Sequence, residues 1–208
     1  MAPTAEIETV VIVRPLKVLA LIFGCLASLL LLIAIIPTHW LQTSIYREGL
    51  FVACKMPPNH SLIHDDQVET CFALSGQVWT QAVAAMCIIS LLITAASTVV
   101  TGLALCNKEP DRKYTFYMVA MVGFGLAAIF LVIGLIVYPI MFWQNMVFKL
   151  EDGGKEWEFA WAYGLAWASV LVILTAAILL FVERDADEID YREKVHHDYS
   201  NDGKETEA

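Results

Sequence analysis

Cys54 and Cys71 stand 17 residues apart in a stretch of 208 residues that is otherwise rich in apolar side chains. In an oxidising compartment such a pair closes a loop as a disulfide; in a reducing one it remains two thiols. Between them lies Asn59-His60-Ser61, a sequon that accepts an N-linked glycan in a surface loop on the secretory side and is otherwise left bare. His60 and His64, four apart and followed by Asp65 and Asp66, have the side chains of a metal site. Pro57 and Pro58 work against the helix that would put both imidazoles on one face, so an ordinary solvated loop is the better reading. Cys106 ends an apolar run and is either a palmitoylation candidate or an inert thiol, while Cys25 and Cys87 read as packing residues. No Ser/His/Asp set, phosphate-cradling glycine loop or metal-ligand cluster converges, so neither an enzyme nor a cofactor is expected.

The elements that must position these residues are set by hydrophobicity. The chain is 58% hydrophobic and 17% charged, against about 45–50% and about 25% for a soluble domain. Lipid is the simplest medium for the excess, and membrane lipid is therefore an expected partner. Four runs without Asp, Glu, Lys, Arg or His cover residues 18–36, 78–106, 114–143 and 159–182, each long enough for the ~30 Å hydrocarbon core. The first is not a signal peptide on its pattern, because it is long, preceded by Glu6 and Glu8, and followed by Pro37-Thr38-His39-Trp40 instead of a cleavage site. Pumps and coupled transporters place ionisable groups at membrane depth, and these spans have none. The net charge of −9 is mostly a tail: residues 183–208 hold ten acids against four bases. No basic patch supports nucleic-acid binding.

Lys and Arg orient the spans. With the N-terminus inside, nine of these residues fall in cytoplasmic segments (1–17, 107–113 and 183–208) and four in the outer loops (37–77 and 144–158), as the positive-inside rule requires. This places Cys54 and Cys71 outside, as the only cysteines there, where a disulfide would contribute about 3 kcal/mol on the chain-entropy model. From Trp40 to Cys54, partial alternation of β-branched and aromatic residues predicts two short strands turning near Glu48-Gly49. Within the spans, Ala160, Gly164 and Ala168 recur every four residues and predict close helix packing, as do Gly123, Ala127 and Gly134. Pro139 is expected to kink or end the third helix. Trp143, Trp157, Trp161 and Trp167 fit interfacial anchoring.

A first outer loop that opens with Trp40, carries Gly49-Leu50-Phe51 and then Cys54 and Cys71, within four spans, resembles the claudin and peripheral myelin protein superfamily. Three further pieces resemble the transmembrane protein 47 (brain cell membrane protein 1) branch of that superfamily. They are Pro15-Leu16-Lys17, Tyr138-Pro139-Ile140, and the run Phe159-Ala160-Trp161-Ala162-Tyr163-Gly164-Leu165-Ala166-Trp167. Claudins carry Trp where this chain has Phe51, and their two cysteines lie closer together; both departures favour the junction-regulating branch. The resemblance implies an all-α membrane protein, a four-transmembrane-helix bundle topped by a small extracellular antiparallel β-sheet. It also implies residence at cell–cell junctions of the plasma membrane and association with cadherin–catenin complexes, scaffold proteins and cortical actin.

Trp40, Gly49, Leu50, Phe51, Cys54 and Cys71 are then the expected determinants of the sheet, with contact across cells or a homo-oligomer as possible modes. Two other readings stay open. One is a claudin-type paracellular barrier or pore, in which Glu48, Asp65, Asp66 or Glu69 would tune selectivity by local charge; the other is an auxiliary subunit of an ion channel. The tail, which its composition predicts to be disordered, ends Thr206-Glu207-Ala208. That end has the form of a PDZ ligand with a weak apolar anchor, and Tyr191 and Tyr199 lie among acids.

Overall fold

The computed structural model describes residues 15–43, 46–55, 70–74, 77–107, 110–146 and 157–182. Asn59, His60, His64, Asp65, Asp66, Glu69, Tyr191, Tyr199 and the tail through Ala208 lie outside the described residues. The first helix, α1, runs Pro15–Ile35; proline suits a first helical turn, where its missing N–H would have no acceptor. It ends two residues before Pro37, whose ring disfavours helical backbone in the residue ahead of it. Short strands follow at Leu41–Gln42 (β1), Tyr46–Glu48 (β2), Val52–Lys55 (β3) and Thr70–Ala73 (β4). Helices α2 (Val78–Cys106) and α3 (Pro110–Met146), a two-residue strand β5 (Glu158–Phe159) and helix α4 (Trp161–Val182) complete the described chain.

All four helices are long and apolar enough to cross a membrane, and no more than 39% of the most apolar window of any of them is buried. The outward majority includes Leu29, Leu92, Val99, Ile129, Leu171 and Ile178. So large an uncharged exterior is incompatible with water and suited to lipid. Pro139 does not end its helix: α3 continues seven residues beyond it, to Met146. Two further differences sit at span ends. α3 begins at Pro110 and so exceeds the uncharged run, and Phe159, expected to open the last span, belongs to β5 instead.

Small and hydroxyl side chains hold the bundle together. Ser90, Thr94, Ser97, Thr98 and Thr101 form a buried stripe along α2. The Ser90 hydroxyl donates to the Ala127 carbonyl of α3 at 2.8 Å, while Thr94, Thr98 and Thr101 donate to carbonyls four residues back in their own helix. These four hydroxyls are thereby satisfied in a medium that offers no water. Glycines face this stripe: a Cβ on Gly24 would come 2.6 Å from Thr98 Oγ1, and one on Gly123 would run into Ser97 Oγ. Close approach of α1 and α3 to α2 is therefore a consequence of residue size.

The stripe of α4 differs from expectation. Gly164 is exposed with no atom near its absent side chain, and Ala160 and Ala168 are only half-buried. The packed face carries Ala162, Ala166, Ser169, Val170, Ile173, Ala176 and Leu180. Two sets of small residues share the i, i+4 spacing at and after the start of α4, and the helices packed against it cover the second set. Cys25, expected to pack, is likewise exposed on α1, whereas Cys87 is buried.

Candidate functional site

At one end of the bundle the five strands form a single antiparallel sheet in the order β4-β3-β2-β1-β5. Where two strands were expected between Trp40 and Cys54 three occur, the one before Gly49 being divided into β1 and β2; the outermost members were not expected as strands, since β4 follows a polar stretch and β5 is two residues long. Cys54 and Cys71 face each other across β3 and β4 with Cα atoms 4.0 Å apart and are joined as a disulfide. The bond pins the edge strand, every residue of which is exposed, to the strand that carries the buried Ala53 and Cys54. β5 pairs Phe159 with Leu41 and Glu158 with Gln42, so the segment entering α4 is stitched to the segment leaving α1. The amides of Ala160 and Ala162 donate to the carbonyls of Trp40 and His39, at 3.1 and 3.2 Å. These bonds occupy donors that a helix start otherwise leaves orphaned.

The sheet rests on an aromatic seat. Trp40 is 0% exposed, and its indole N–H donates to the Ala34 carbonyl at 2.7 Å, one of the last-turn acceptors that α1 cannot satisfy itself. Its ring meets Tyr138 of α3 edge-on at 5.1 Å and Tyr163 of α4 at 5.8 Å, geometries favoured by the ring quadrupoles. The Trp40 backbone N–H donates to the Glu48 carbonyl at 3.0 Å, which ties the seat to β2.

The continuity of α3 through Pro139 has its explanation here. Pro139 has no N–H to give the Leu135 carbonyl four residues back. The Tyr163 hydroxyl donates to that carbonyl at 3.0 Å instead. The Tyr-Pro pair of α3 and the tyrosine of α4, far apart in sequence, are thus parts of one arrangement.

Gly49 and Leu50 serve the turn between β2 and β3. A Cβ at Gly49 would lie 2.6 Å from the Pro37 carbonyl oxygen and 2.7 Å from Thr38 Cα, so only glycine lets the turn lie against the chain leaving α1. Leu50 is buried among the helices. Phe51 points the other way: it is 45% exposed, and its carbonyl accepts from the Leu74 amide at 2.8 Å. Phe72 on β4 is exposed as well. Among the sheet residues singled out by sequence, Trp40 and Leu50 therefore belong to the buried core, Gly49 lies against the chain leaving α1, the cysteines clamp the edge, and Phe51 stands on the surface. Cys106, at the far end of α2, is exposed.

Glu48 is a correction. As a selectivity-tuning charge it would have to face an aqueous path, yet it is fully buried. Strand alternation explains this: Tyr46 and Glu48 share a face, and Arg47 takes the other, its Nη1 lying 3.1 Å from His39 Nε2. The Tyr46 hydroxyl donates to Glu48 Oε2 at 2.9 Å. Burial pushes the Glu48 carboxyl up to about 7, against the smaller lowering effect of that hydrogen bond. Burial first, and then the charge of Glu48, push the Tyr46 phenol well above its ordinary value. The period-2 spacing puts Tyr46 and Glu48 on one face, without saying that this face is the buried one. Among the described residues no group of three or more metal-ligating side chains occurs.

Comparison with known proteins gives the fold its place. The profile of the PMP-22/EMP/MP20/Claudin family matches residues 9–180. The chain is also 31% identical over 132 residues to a zebrafish (Danio rerio) protein named p53 apoptosis effector related to PMP-22, a match that spans 63% of this chain and 66% of that one, just under two thirds of the relative's length. With the four helices, the clamped sheet and the family profile running from before α1 into the last turn of α4, the chain belongs to the PMP-22/EMP/MP20/Claudin family.

Proposed function

We propose that this membrane protein organises cell–cell junctions: its sheet stands outside the cell, and both ends of the chain lie in the cytoplasm. Family membership carries the reading, and the construction of the sheet supports it. A disulfide, the Trp40 seat and strand pairing from both connecting segments hold five very short strands rigid. They present exposed aromatics, Phe51 and Phe72, at the rim. A surface held that firmly suits contact with another protein. In this reading the chain belongs to the transmembrane protein 47 branch and, from its cytoplasmic side, associates with cadherin–catenin complexes and cortical actin. In polarised epithelium a tagged chain should concentrate at contacts, and proximity labelling from the tail should recover catenins and junctional scaffolds. An even spread over the plasma membrane defeats the proposal.

The zebrafish relative's name supports a second reading, a membrane effector of apoptosis. Under it, expression should raise caspase activation even in isolated cells that form no contacts, which the junctional reading does not expect.

A further inference from the structure

One face of the sheet is turned toward the helices, and the strand register says which residues lie on it. Phe72, Ala53, Glu48, Leu41 and Phe159 stand opposite one another in a single row across all five strands. Cross-strand partners share a face, and Leu41 belongs to the core formed with the helices, so the whole row is on the bundle side. Its three inner members are fully buried, whereas the phenylalanines at its two ends are 47% and 40% exposed. The row spans four strand spacings, about 19 Å; its middle is covered and its ends are not.

At the β4 end the next row on the same face adds Lys55 opposite Thr70, both exposed. The row between these two lies on the other face and carries Arg47, Gln42 and Glu158. The free edge of the sheet therefore has an aromatic and a basic side chain together on its bundle side, and a polar row on the face turned away.

Both edge strands lead directly into membrane-spanning helices. Phe159 precedes Trp161, the head of α4 and 54% exposed, by two residues. Phe72 precedes Val78, the head of α2 and 80% exposed, by six. Six residues reach at most about 20 Å, and a turn in which the Gln77 amide donates to the Leu74 carbonyl at 3.1 Å shortens the path. Each end of the row is thus tied to the place where a lipid-facing helix begins. The medium found at that level is the membrane interface, where aromatic rings settle at the boundary of the acyl chains and lysines meet lipid phosphates.

We propose that β4 lies on the membrane. Phe72 is seated among the lipids of the leaflet adjoining the sheet, Lys55 reaches their phosphates, and Phe159 makes the matching contact at the opposite edge. The sheet is then held to the bilayer at both edges and to the bundle in the middle. Phe51 and the row of Arg47, Gln42 and Glu158 are left for a partner protein. Lipid contact of this kind is independent of which side of the membrane the sheet occupies, and so of the junctional role.

The test uses the full chain, labelled with 4-fluorophenylalanine, in phosphatidylcholine nanodiscs holding one copy each. The fluorine resonance of residue 72 is assigned by its loss in Phe72→Leu, and that of Phe124, fully buried in the bundle, is the reference for shielding. The Phe72 resonance should be broadened by a lipid carrying a nitroxide near its headgroup and spared by a water-soluble gadolinium chelate. Broadening by the chelate overturns the proposal, and so does a Phe72 resonance as sheltered from both agents as Phe124. Protection from the chelate that appears only in discs holding two copies assigns the patch to a second chain and also overturns it. As a second readout, Phe72→Ser should speed amide exchange in β4 roughly fivefold in nanodiscs and leave it unchanged in an amphipathic polymer without a bilayer. Equal acceleration in both media would mean that Phe72 serves the sheet alone. Should the variants fail to fold, the wild-type chain decides: exchange in β4 must be slower in nanodiscs than in the polymer, and equal rates count against lipid contact.

Discussion

Trp40 does three things at once: it fills the space under the sheet, donates to the end of α1 and ties to β2 through its backbone. Trp40→Ala removes the ring and leaves the Ala34 carbonyl unpaired. It should lower stability by about 3–5 kcal/mol, seen as a fall in the thermal midpoint of the purified protein. Gly49→Ala should cost about 1–3 kcal/mol in the same assay, because the added methyl meets backbone, which cannot swing aside. The Tyr163–Pro139 arrangement makes a sharper claim. Tyr163→Phe strands the Leu135 carbonyl and should cost about 1–3 kcal/mol. Adding Pro139→Ala supplies an amide N–H to that carbonyl, so the double variant should recover most of the loss. Equal stability of the single and double variants would show that the Tyr163 hydroxyl is not serving Leu135.

Among the elements, the helices were legible and the sheet only partly so. Runs without charge have one solution in lipid, a helix that satisfies its own backbone. The β2–β3 hairpin followed from alternation and a glycine. β4 and β5 did not, because a strand of two to four residues has too little pattern to announce itself and exists only where partners are already in place. For β5 that partner is β1, more than a hundred residues earlier in the chain. β4 has no buried residue and no neighbour beyond β3, so the disulfide should matter most there. Cys54→Ala with Cys71→Ala should lower stability by about 3 kcal/mol. Its effect on hydrogen exchange should be largest in β3 and β4 and small in the helices; a uniform loss across the bundle would mean that the bond serves the whole fold.

For the molecule as a whole, the proposed orientation rests on the distribution of Lys and Arg, which favours the sheet on the outer side. A C-terminal epitope should be detected only after permeabilisation, whereas a membrane-impermeant biotin label should reach Lys55 on intact cells. Staining of the tail on unpermeabilised cells would invert the arrangement and remove the sheet from the intercellular space. The small-residue stripe on α4 is also a matter of the whole. Ala160, Gly164 and Ala168 share a spacing with Ala162 and Ala166, and nothing within α4 distinguishes the two sets; the other helices decide which is covered.

Hydrophobicity and charge act locally and additively along the chain, so the sequence by itself determined the four spans, their membrane environment and the glycine turn of the hairpin. The meeting of Trp40, Tyr138 and Tyr163, the rescue of Leu135 beside a proline, and the burial of Glu48 depend on segments that touch only after the helices have packed. Strand alternation can say that Tyr46 and Glu48 share a face. Whether that face meets water or the interior is decided by what the bundle places beneath it, and Glu48 ends fully buried.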